Sequence, residues 1–265
     1  MTGTLGRDAV LVTGASGGIG RAIAERLGDE GTTVIAHYAT NSTRAIEVAD
    51  LINSRGGRCV TAQADLRKDD DIDRLVGFVG DFLAENDMTL SGLVNNAAKL
   101  LSPGFFDTTS ADFDEFFALN ARAPFFLAQR LAPLMRTGGS IVNISSAGAH
   151  FSSPGDIVYS MTKAAVESLT ANAAEALAPL GIRINNVVPG FTDNGHPAFQ
   201  IPQAREYMSS FAVLGDVSQP GAVADAVGFL LSGRASRTTG STLDASGGSI
   251  LGVHAPAAFS FDDVG

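Results

Sequence analysis

The stretch "VLVTGASGGIG", Val10–Gly20, joins a short apolar run to the start of an amphipathic helical pattern. Gly14, Gly18 and Gly20 lie in the connection. Glycine there lets a backbone approach a pyrophosphate, and the following helix offers unpaired N–H groups and the positive end of its dipole. Glycine also serves ordinary tight turns, so on these residues alone a plain turn and a nucleotide site have about even odds.

Outward from this stretch, short apolar runs alternate with longer segments of helical period. The seven predicted strands begin at Ala9, Thr33, Cys59, Gly92, Ser140, Arg183 and Ser241, with the sequences AVLVT, TVIAH, CVTAQ, GLVNN, SIVNIS, RINNVV and STLDAS. Most are apolar throughout, which is typical of strands covered on both faces. Apolar stripes such as Ile19, Ile23 and Leu27 predict helices between them. This alternation predicts an α/β fold: a doubly wound, Rossmann-type, seven-stranded parallel sheet with helices on both faces.

The chain shows no linker, repeat or low-complexity block, so we expect residues 1–265 to form a single domain. Two segments depart from the strand–helix rhythm. Residues 190–212 form a long mixed stretch after the sixth strand, and residues 252–265 form a tail after the last strand.

Composition narrows the class of function. The net charge of −10 argues against a nucleic-acid surface. The chain has no apolar run of membrane-spanning length and no secretory signal, and we expect a cytoplasmic protein with no membrane partner. A single cysteine, Cys59, fits a reducing compartment. The four histidines lack ligand-like spacing, so no metal site is expected.

The run "YSMTK", Tyr159–Lys163, places a phenol and an ammonium four residues apart. In a helix both polar ends lie on one face, one turn apart. Such a pair on its own is more often a solvated face, by about four to one, so its meaning depends on the rest of the chain.

Several motifs occur in one order and at one spacing along the chain. They are TGxxxGxG (Thr13–Gly20), Asp65 with Leu66, NNAA (Asn95–Ala98), Asn120, Ser146 thirteen residues before Tyr159, YxxxK (Tyr159, Lys163), Pro189 with Gly190, and DASGG near the end. Together they resemble the short-chain dehydrogenase/reductase family over about Asp8 to Gly248. The resemblance departs from the family pattern at Ala98, where glycine is usual.

The resemblance implies a catalytic group of Ser146, Tyr159, Lys163 and Asn120. Reduction of a ketone needs a hydride on carbon and a proton on oxygen, and Tyr159 would supply the proton. A phenol is a weak acid at neutral pH, so Lys163 is expected to lower the pKa of Tyr159. Ser146 would hydrogen-bond the substrate oxygen, and Asn120 would hold a water in a proton relay. The alternatives are a turn role for Ser146 and a helix N-cap for Asn120.

The resemblance also implies a nicotinamide dinucleotide. Besides Tyr159 and Lys163, its expected contacts are Gly14, Ser16, Gly18, Ile19, Gly20, Tyr38, Ala39, Thr40, Asn41, Ser42, Asp65, Leu66, Asn96, Ala97, Ala98, Pro189, Gly190 and Thr192. No carboxylate follows the second strand between His37 and Ser42, so we expect NADP(H) rather than NAD(H). Arg44 would help if it turns inward. His37 could contribute too, although packing at the strand end is the more common role for such a residue.

In the family, the segment after the sixth strand is a substrate lid, which here spans residues 190–212. Apolar pocket candidates are Phe191, Phe199, Ile201, Tyr207, Met208 and Phe211, with His150 and Phe151 opposite; about half of them would merely pack the lid. A neutral, partly hydrophobic ketone is expected, of polyketide or polycyclic aromatic type. The alternatives are an alcohol dehydrogenase running in the oxidative direction and a non-catalytic NADP-binding sensor. Family habit suggests a homo-oligomer, with a tetramer favoured.

Overall fold

The computed structural model describes residues 7–251. Its strands are β1 Asp8–Val12, β2 Thr33–Tyr38, β3 Arg58–Gln63, β4 Thr89–Asn95, β5 Met135–Ile144, β6 Arg183–Pro189 and β7 Thr242–Ala245. Its α-helices are α1 Gly18–Asp29, α2 Ser42–Ser54, α3 Asp69–Glu85, α4 Ser110–Phe117, α5 Ala123–Leu131, α6 Ile157–Leu177, α7 Pro202–Ser209 and α8 Pro220–Leu231. The tail 252–265 singled out in the sequence lies outside the described residues.

The seven strands form one parallel sheet in the order β3-β2-β1-β4-β5-β6-β7. Helices α1, α2 and α8 pack on one face, around Ile23, Ile52 and Val227. Helices α3, α5 and α6 pack on the other, around Leu75 and Leu127. The predicted doubly wound α/β fold is therefore confirmed.

All seven predicted strands are present, and the largest difference is at the start of β5. The sequence predicts a strand from Ser140, but β5 begins at Met135, which pairs with Leu90. The residues between include Gly138 with φ +84°, and the register shifts between Leu90 and Gly92. The strand continues through this irregularity, so Gly138 and Gly139 lie within it.

A chain of polar side chains, buried from Asn95 to Asn186 and ending at the exposed Thr242, crosses the sheet from β4 to the edge strand β7. Asn95 Nδ2 donates to Asn143 Oδ1 at 2.8 Å, and Asn143 Nδ2 donates to Thr170 Oγ1 at 2.8 Å. Thr170 Oγ1 then donates to Asn186 Oδ1 at 2.6 Å, and Asn186 Nδ2 donates to Thr242 Oγ1 at 3.1 Å. The chain links β4, β5, β6 and β7 to α6, below the carboxyl ends of these strands.

No helix among residues 7–251 combines the length and apolar character that crossing a bilayer requires.

We expect Thr170→Val to lower the free energy of unfolding by about 1–3 kcal/mol, because it leaves the Asn143 donor and the Asn186 acceptor buried without their shared partner. Urea denaturation measures the loss. Ser168→Ala, on the exposed side of the same helix, is the control and should change stability by less than about 0.5 kcal/mol. Equal stabilities of Thr170→Val and wild type would show that the chain is not structurally important.

Candidate active site

The sheet order reverses between β1 and β4, whose carboxyl ends therefore border an open cleft. In open α/β sheets this point is the usual ligand site, because the loops leave in opposite directions there. The predicted site residues follow the carboxyl ends of β1 to β6 or lie on helix α6, apart from Asn120, which lies between α4 and α5.

The glycine-rich turn after β1 has the geometry of a close backbone approach. Gly14 and Gly18 have φ of +65° and +53°, in the left-handed region that favours glycine. A Cβ on Gly20 would collide with the carbonyl oxygen of Gly14 and the amide of Asn96. Glycine is thus needed at Gly20 for the helix to start this close to the turn.

The N-terminus of α1 is open to an anion. Its N-cap residue, Gly17, supplies no side-chain hydrogen bond, and the first turn carries no acidic residue. By contrast, Asn41 caps α2, and three aspartates occupy the first turn of α3. Only α1 of these three combines unpaired N–H groups with an uncompensated dipole, so it fits a pyrophosphate. Ser16 and Ile19 flank this terminus and are partly exposed.

Thr13 and Asn96 brace the turn from the side of β4. Thr13 Oγ1 accepts hydrogen bonds from the backbone N–H groups of Asn96 and Ala97, at 2.9 and 3.0 Å. Asn96 Nδ2 donates to the carbonyl oxygens of Thr13 and Gly14, at 2.9 and 3.2 Å. Asn96, Ala97 and Ala98 thus lie beside the turn, as predicted, and the Asn96 amide fixes its shape.

His37 supports the turn from β2. Its Nδ1 accepts from the backbone N–H of Gly14 at 3.1 Å, and its Nε2 lies 3.0 Å from the carbonyl oxygen of Ala64. Since Nδ1 accepts, Nε2 carries the proton and the ring is neutral. Burial lowers the pKa of His37 to about 4. Both ring nitrogens are occupied, so His37 has the packing role rather than a phosphate-binding one.

The segment after β2 is exposed and carries no carboxylate. Tyr38 ends the strand, Ala39 and Thr40 follow, and Asn41 accepts a hydrogen bond from Arg44 N at 3.0 Å at the start of α2 with Ser42. A Cβ built on Gly17 would lie 3.9 Å from Nη1 of Arg44.

The Arg44 guanidinium therefore lies over the glycine-rich turn. No ion pair within residues 7–251 involves Arg44, which leaves the guanidinium available to a ligand.

Asp65 and Leu66, the predicted cofactor contacts after β3, differ in accessibility. Asp65 Oδ1 accepts from Nε of Arg67 at 2.8 Å, and this hydrogen bond holds the pKa of Asp65 below its usual range. Leu66 is buried in the core on the α3 side of the sheet.

At the other side of the cleft, Pro189 ends β6, Gly190 follows, and Thr192 Oγ1 donates to the Gly190 carbonyl oxygen at 3.0 Å.

The structure brings Ser146, Tyr159 and Lys163 together. Ser146 lies just after β5, where its Oγ accepts from the backbone N–H of Gly148 at 3.1 Å. Its hydroxyl contacts the Tyr159 hydroxyl, which projects from the first turns of α6. Lys163 follows one turn later, with Nζ 5.6 Å from the centre of the Tyr159 ring.

The expectation that Lys163 lowers the pKa of Tyr159 is wrong for the ligand-free protein. Burial raises the pKa of Tyr159 to about 12; the Ser146 hydroxyl opposes this rise in part, and the charge of Asp156 adds a smaller increase. Lys163 itself is buried and donates from Nζ to the carbonyl oxygen of Ile144 at 2.8 Å. Its ammonium therefore already has a backbone partner, and burial lowers the pKa of Lys163 to about 8.

Asn120 lies in a π-helical segment, Ala118–Arg122, between α4 and α5, and it is not a helix N-cap. Its Oδ1 accepts from Lys99 N at 2.8 Å, and its Nδ2 donates to Lys99 O at 2.9 Å and to Thr162 Oγ1 at 3.2 Å. The side chain thus joins the chain after β4 to α6. Both ends of the amide therefore bind protein groups, and the role of Asn120 in holding a water stays a prediction.

Residues 190–212, the predicted lid, form a 3-10 turn at Pro197–Gln200 and helix α7. Phe199 and Met208 pack with Val217 in a small core of their own, so they hold the segment together rather than line a pocket. Ile201 is half-exposed on the outer side.

An aromatic cluster joins the lid to the loop after β5, which also carries Ser146. The ring of Phe211 lies 5.3 Å from Phe151, 5.4 Å from Phe191 and 5.2 Å from Tyr207 between centroids. These rings connect the lid to the loop after β5 and to the end of β6. On the cofactor side, Asn194 approaches the position that a Cβ on Gly18 would take, at 3.2 Å.

Sequence reasoning missed two carboxylates near the catalytic group. Asp156, three residues before Tyr159, accepts from Ser102 N and Oγ at 2.7 and 2.6 Å and so holds the loop after β4 near the cleft. Glu167, one turn beyond Lys163, binds residues on either side of Ser146. The helical spacing was a usable signal for Glu167, since Tyr159, Lys163 and Glu167 recur every four residues.

A dinucleotide cradle beside a serine, tyrosine and lysine defines a nicotinamide-dependent oxidoreductase acting on CH–OH and C=O groups. The sequence profile of a family described as enoyl-(acyl carrier protein) reductase matches residues 14–249. The chain belongs to the short-chain dehydrogenase/reductase family.

Three relatives illustrate the similarity. The crystal structure of the angucycline C-6 ketoreductase LanV with bound NADP is 43% identical and covers 95% of this chain and 99% of its own, with a TM-score of 0.90. The promiscuous reductase LugOII, which catalyses keto-reduction at C1 during lugdunomycin biosynthesis, is 41% identical, covers 94% and 100%, and has a TM-score of 0.90. The 3-oxoacyl-[acyl-carrier-protein] reductase FabG of Staphylococcus aureus is 32% identical over 242 residues, 91% of this chain and 97% of its own.

The burial of Lys163 predicts a pH-dependent cost to stability. An unfolded lysine titrates near about 10.4, whereas Lys163 in the folded protein titrates at about 8. Between these values the unfolded chain binds more protons, so folding stability rises with pH. We expect Lys163→Met to be at least as stable as wild type near pH 7. Above the pKa of Lys163 in the folded protein, the free energy of unfolding of wild type should increase relative to that of Lys163→Met by about 1.4 kcal/mol per pH unit.

Urea unfolding of the cofactor-free proteins at about pH 7 and about pH 9.5 measures this shift. Lys68→Met removes an exposed lysine and is the control, with a stability difference that should not change with pH. If the difference in the free energy of unfolding between Lys163→Met and wild type is the same at both pH values, the burial of a charged ammonium is contradicted.

Proposed function

We propose that this chain is an NADPH-dependent ketoreductase with Tyr159 as the general acid. The observation that carries the proposal is the contact between the Ser146 and Tyr159 hydroxyls, with Lys163 one helical turn away. Two hydroxyl groups that meet beside a dinucleotide cradle can both reach one carbonyl oxygen, as proton donor and as hydrogen-bond donor.

NADPH, when bound, supplies the hydride. The residues of the glycine-rich turn fit its pyrophosphate, since the α1 terminus is uncapped and free of acidic side chains. Tyr159 holds the proton that goes to the carbonyl oxygen, and Ser146 orients that oxygen by a hydrogen bond. Lys163 Nζ lies 5.6 Å from the centre of the tyrosine ring. Because burial sets the pKa of Tyr159, the part we assign to the lysine is contact with the cofactor.

The raised pKa of Tyr159 suits the reductive direction. At about 12 it keeps the phenol protonated throughout the physiological range, so the proton is in place before hydride transfer. The oxygen of a ketone receiving hydride becomes an alkoxide, which is a far stronger base than a phenolate, so proton transfer stays favourable. The oxidative direction instead needs the phenolate at the start, which this environment disfavours.

Preference for the 2′-phosphate of NADPH is supported by the segment after β2. It has no carboxylate to repel a phosphate, and the Arg44 guanidinium lies over Gly17 without an acidic partner among the residues described. Guanidinium and phosphate form strong, geometrically specific hydrogen bonds. The similarity to LanV, crystallised with NADP, supports the same cofactor.

The substrate that fits best is a polycyclic aromatic ketone. The cluster of Phe151, Phe191, Tyr207 and Phe211 joins the lid to the loops after β5 and β6, and the loop after β5 also carries Ser146. Flat aromatic rings pack well against such surfaces. LanV and LugOII, with 43% and 41% identity, are reductases of polyketide-type ketones by their descriptions, an angucycline and a lugdunomycin precursor.

We also propose a homo-oligomer, with a tetramer favoured. Helices α4, α5 and α6 border a groove of about 840 Å³ whose lining includes Phe117, Phe125 and Leu169. Phe125 is largely exposed in the single chain, and burial of such a surface is a common driving force for association.

We expect Tyr159→Phe to lower kcat for reduction of 1-tetralone, a bicyclic aromatic ketone, by about 10²- to 10⁴-fold, because the proton donor is lost. NADPH binding, measured by nicotinamide fluorescence, should be unchanged. Tyr207→Phe makes the same chemical change on the exposed lid helix and should keep activity within a few-fold. Full activity of Tyr159→Phe would exclude Tyr159 as the general acid. If the wild-type protein oxidises NADPH in the presence of none of the ketones tried, the non-catalytic sensor is favoured.

We expect Arg44→Ala to lower kcat/KM for NADPH by about 10- to 100-fold, the equivalent of one charge-assisted contact, while kcat/KM for NADH changes little. Steady-state kinetics with both cofactors measures the ratio. Arg55→Ala is the control, because Arg55 follows the same helix and is already paired with Glu25 and Asp29. Equal losses with both cofactors would rule out a phosphate contact for Arg44.

A further inference from the structure

We propose that Glu167 is a positioning residue for reduction: its carboxylate anchors both ends of the turn that carries Ser146. The inference rests on the proposed function. It adds a residue that acts through Ser146 and not on the substrate itself.

The turn after β5 consists of Ser145, Ser146, the 3-10 segment Ala147–Ala149 and His150. It is short, and its internal hydrogen bonds are local: Ala149 N donates to Ser146 O at 3.0 Å and His150 N to Ala147 O at 2.9 Å. Such a turn needs outside contacts to hold one side chain in a fixed direction.

Ser145 N donates to the carbonyl oxygen of Val187 in β6 at 2.8 Å, and two side-chain contacts of the turn converge on one further atom. Ser145 Oγ donates to Glu167 Oε1 at 2.5 Å, and His150 Nε2 lies 3.0 Å from the same oxygen. A carboxylate can only accept, so the histidine nitrogen is the donor. One oxygen therefore fixes the residue immediately before Ser146 and the residue that closes the turn.

The anchor is protected from solvent. Ser145 is buried, and the side chains of Glu167 and His150 are 19% and 29% exposed. Hydrogen bonds to a charged acceptor are stronger than neutral ones, and low exposure limits competition from water.

Glu167 also has the register that such a role requires. Tyr159, Lys163 and Glu167 lie four residues apart on one face of α6. Tyr159 contacts Ser146, Lys163 Nζ binds the Ile144 carbonyl at 2.8 Å, and Glu167 binds Ser145 and His150. The distance between the Ser146 and Tyr159 hydroxyls is thus set by one helix that holds the turn at three levels.

The kinetic test compares Glu167→Ala with wild type in NADPH-dependent reduction of 1-tetralone. We expect kcat to fall about 10- to 100-fold, as for a small misplacement of a reacting group, while NADPH affinity is unchanged. Glu167→Gln keeps an acceptor oxygen and should retain activity within about threefold. Glu175→Ala, an exposed position two turns further along α6, is the control and should behave as wild type.

A double-mutant cycle tests whether Glu167 acts through Ser146. In a Ser146→Ala background, Glu167→Ala should cause little further loss, because the residue it positions is gone. If the reductions in kcat caused by Ser146→Ala and Glu167→Ala multiply in the double variant, the proposal is overturned. An unchanged kcat in Glu167→Ala alone would also overturn it.

Amide hydrogen exchange gives a readout independent of activity. Peptides covering residues 145–150 should exchange faster in Glu167→Ala than in wild type or Glu175→Ala, while peptides from β2 do not change. Unchanged exchange in the turn would overturn the proposal even in an active enzyme. If wild type reduces no ketone, the proposed function fails, while the exchange data still decide whether Glu167 holds the turn.

Discussion

The line of hydrogen bonds from Asn95 through Asn143, Thr170 and Asn186 to Thr242 is the constraint on which the site depends. Polar groups buried in an apolar sheet must be paired, and these pair only when the strands and α6 keep one relative position. Because the catalytic hydroxyls lie at the strand ends and on that helix, the requirement for buried pairing also sets the distance between them.

Above this line, burial shifts the titratable groups of the site toward their neutral forms. Burial raises the pKa of Tyr159 to about 12 and lowers the pKa values of Lys163 and His37 to about 8 and about 4. All three shifts have the same cause, the loss of water around a group that would otherwise be charged. The turn for the dinucleotide and the proton donor are therefore both built from groups whose protonation changes little over the physiological range.

The sequence predicted what depends on local spacing. The strand–helix alternation, the glycine-rich turn, and the single helix face shared by Tyr159 and Lys163 follow from periodicity, and the structure contains all of them. It could not predict what depends on contacts between distant segments. The pKa of Tyr159 is set by burial under the loop after β5, the ring of His37 meets Gly14 across two strands, and β5 begins at Met135 because it pairs with Leu90.

The approach of Arg44 to Gly17 has a consequence for redesign of this enzyme. The positive charge over the turn is carried by α2, whereas the backbone that receives the pyrophosphate belongs to the β1–α1 connection. Under the proposed role of Arg44, the adenosine end and the diphosphate are assigned to different elements of the fold. In that arrangement, residues of one surface helix are the place to change the coenzyme, while the glycines and the catalytic group keep their sequence.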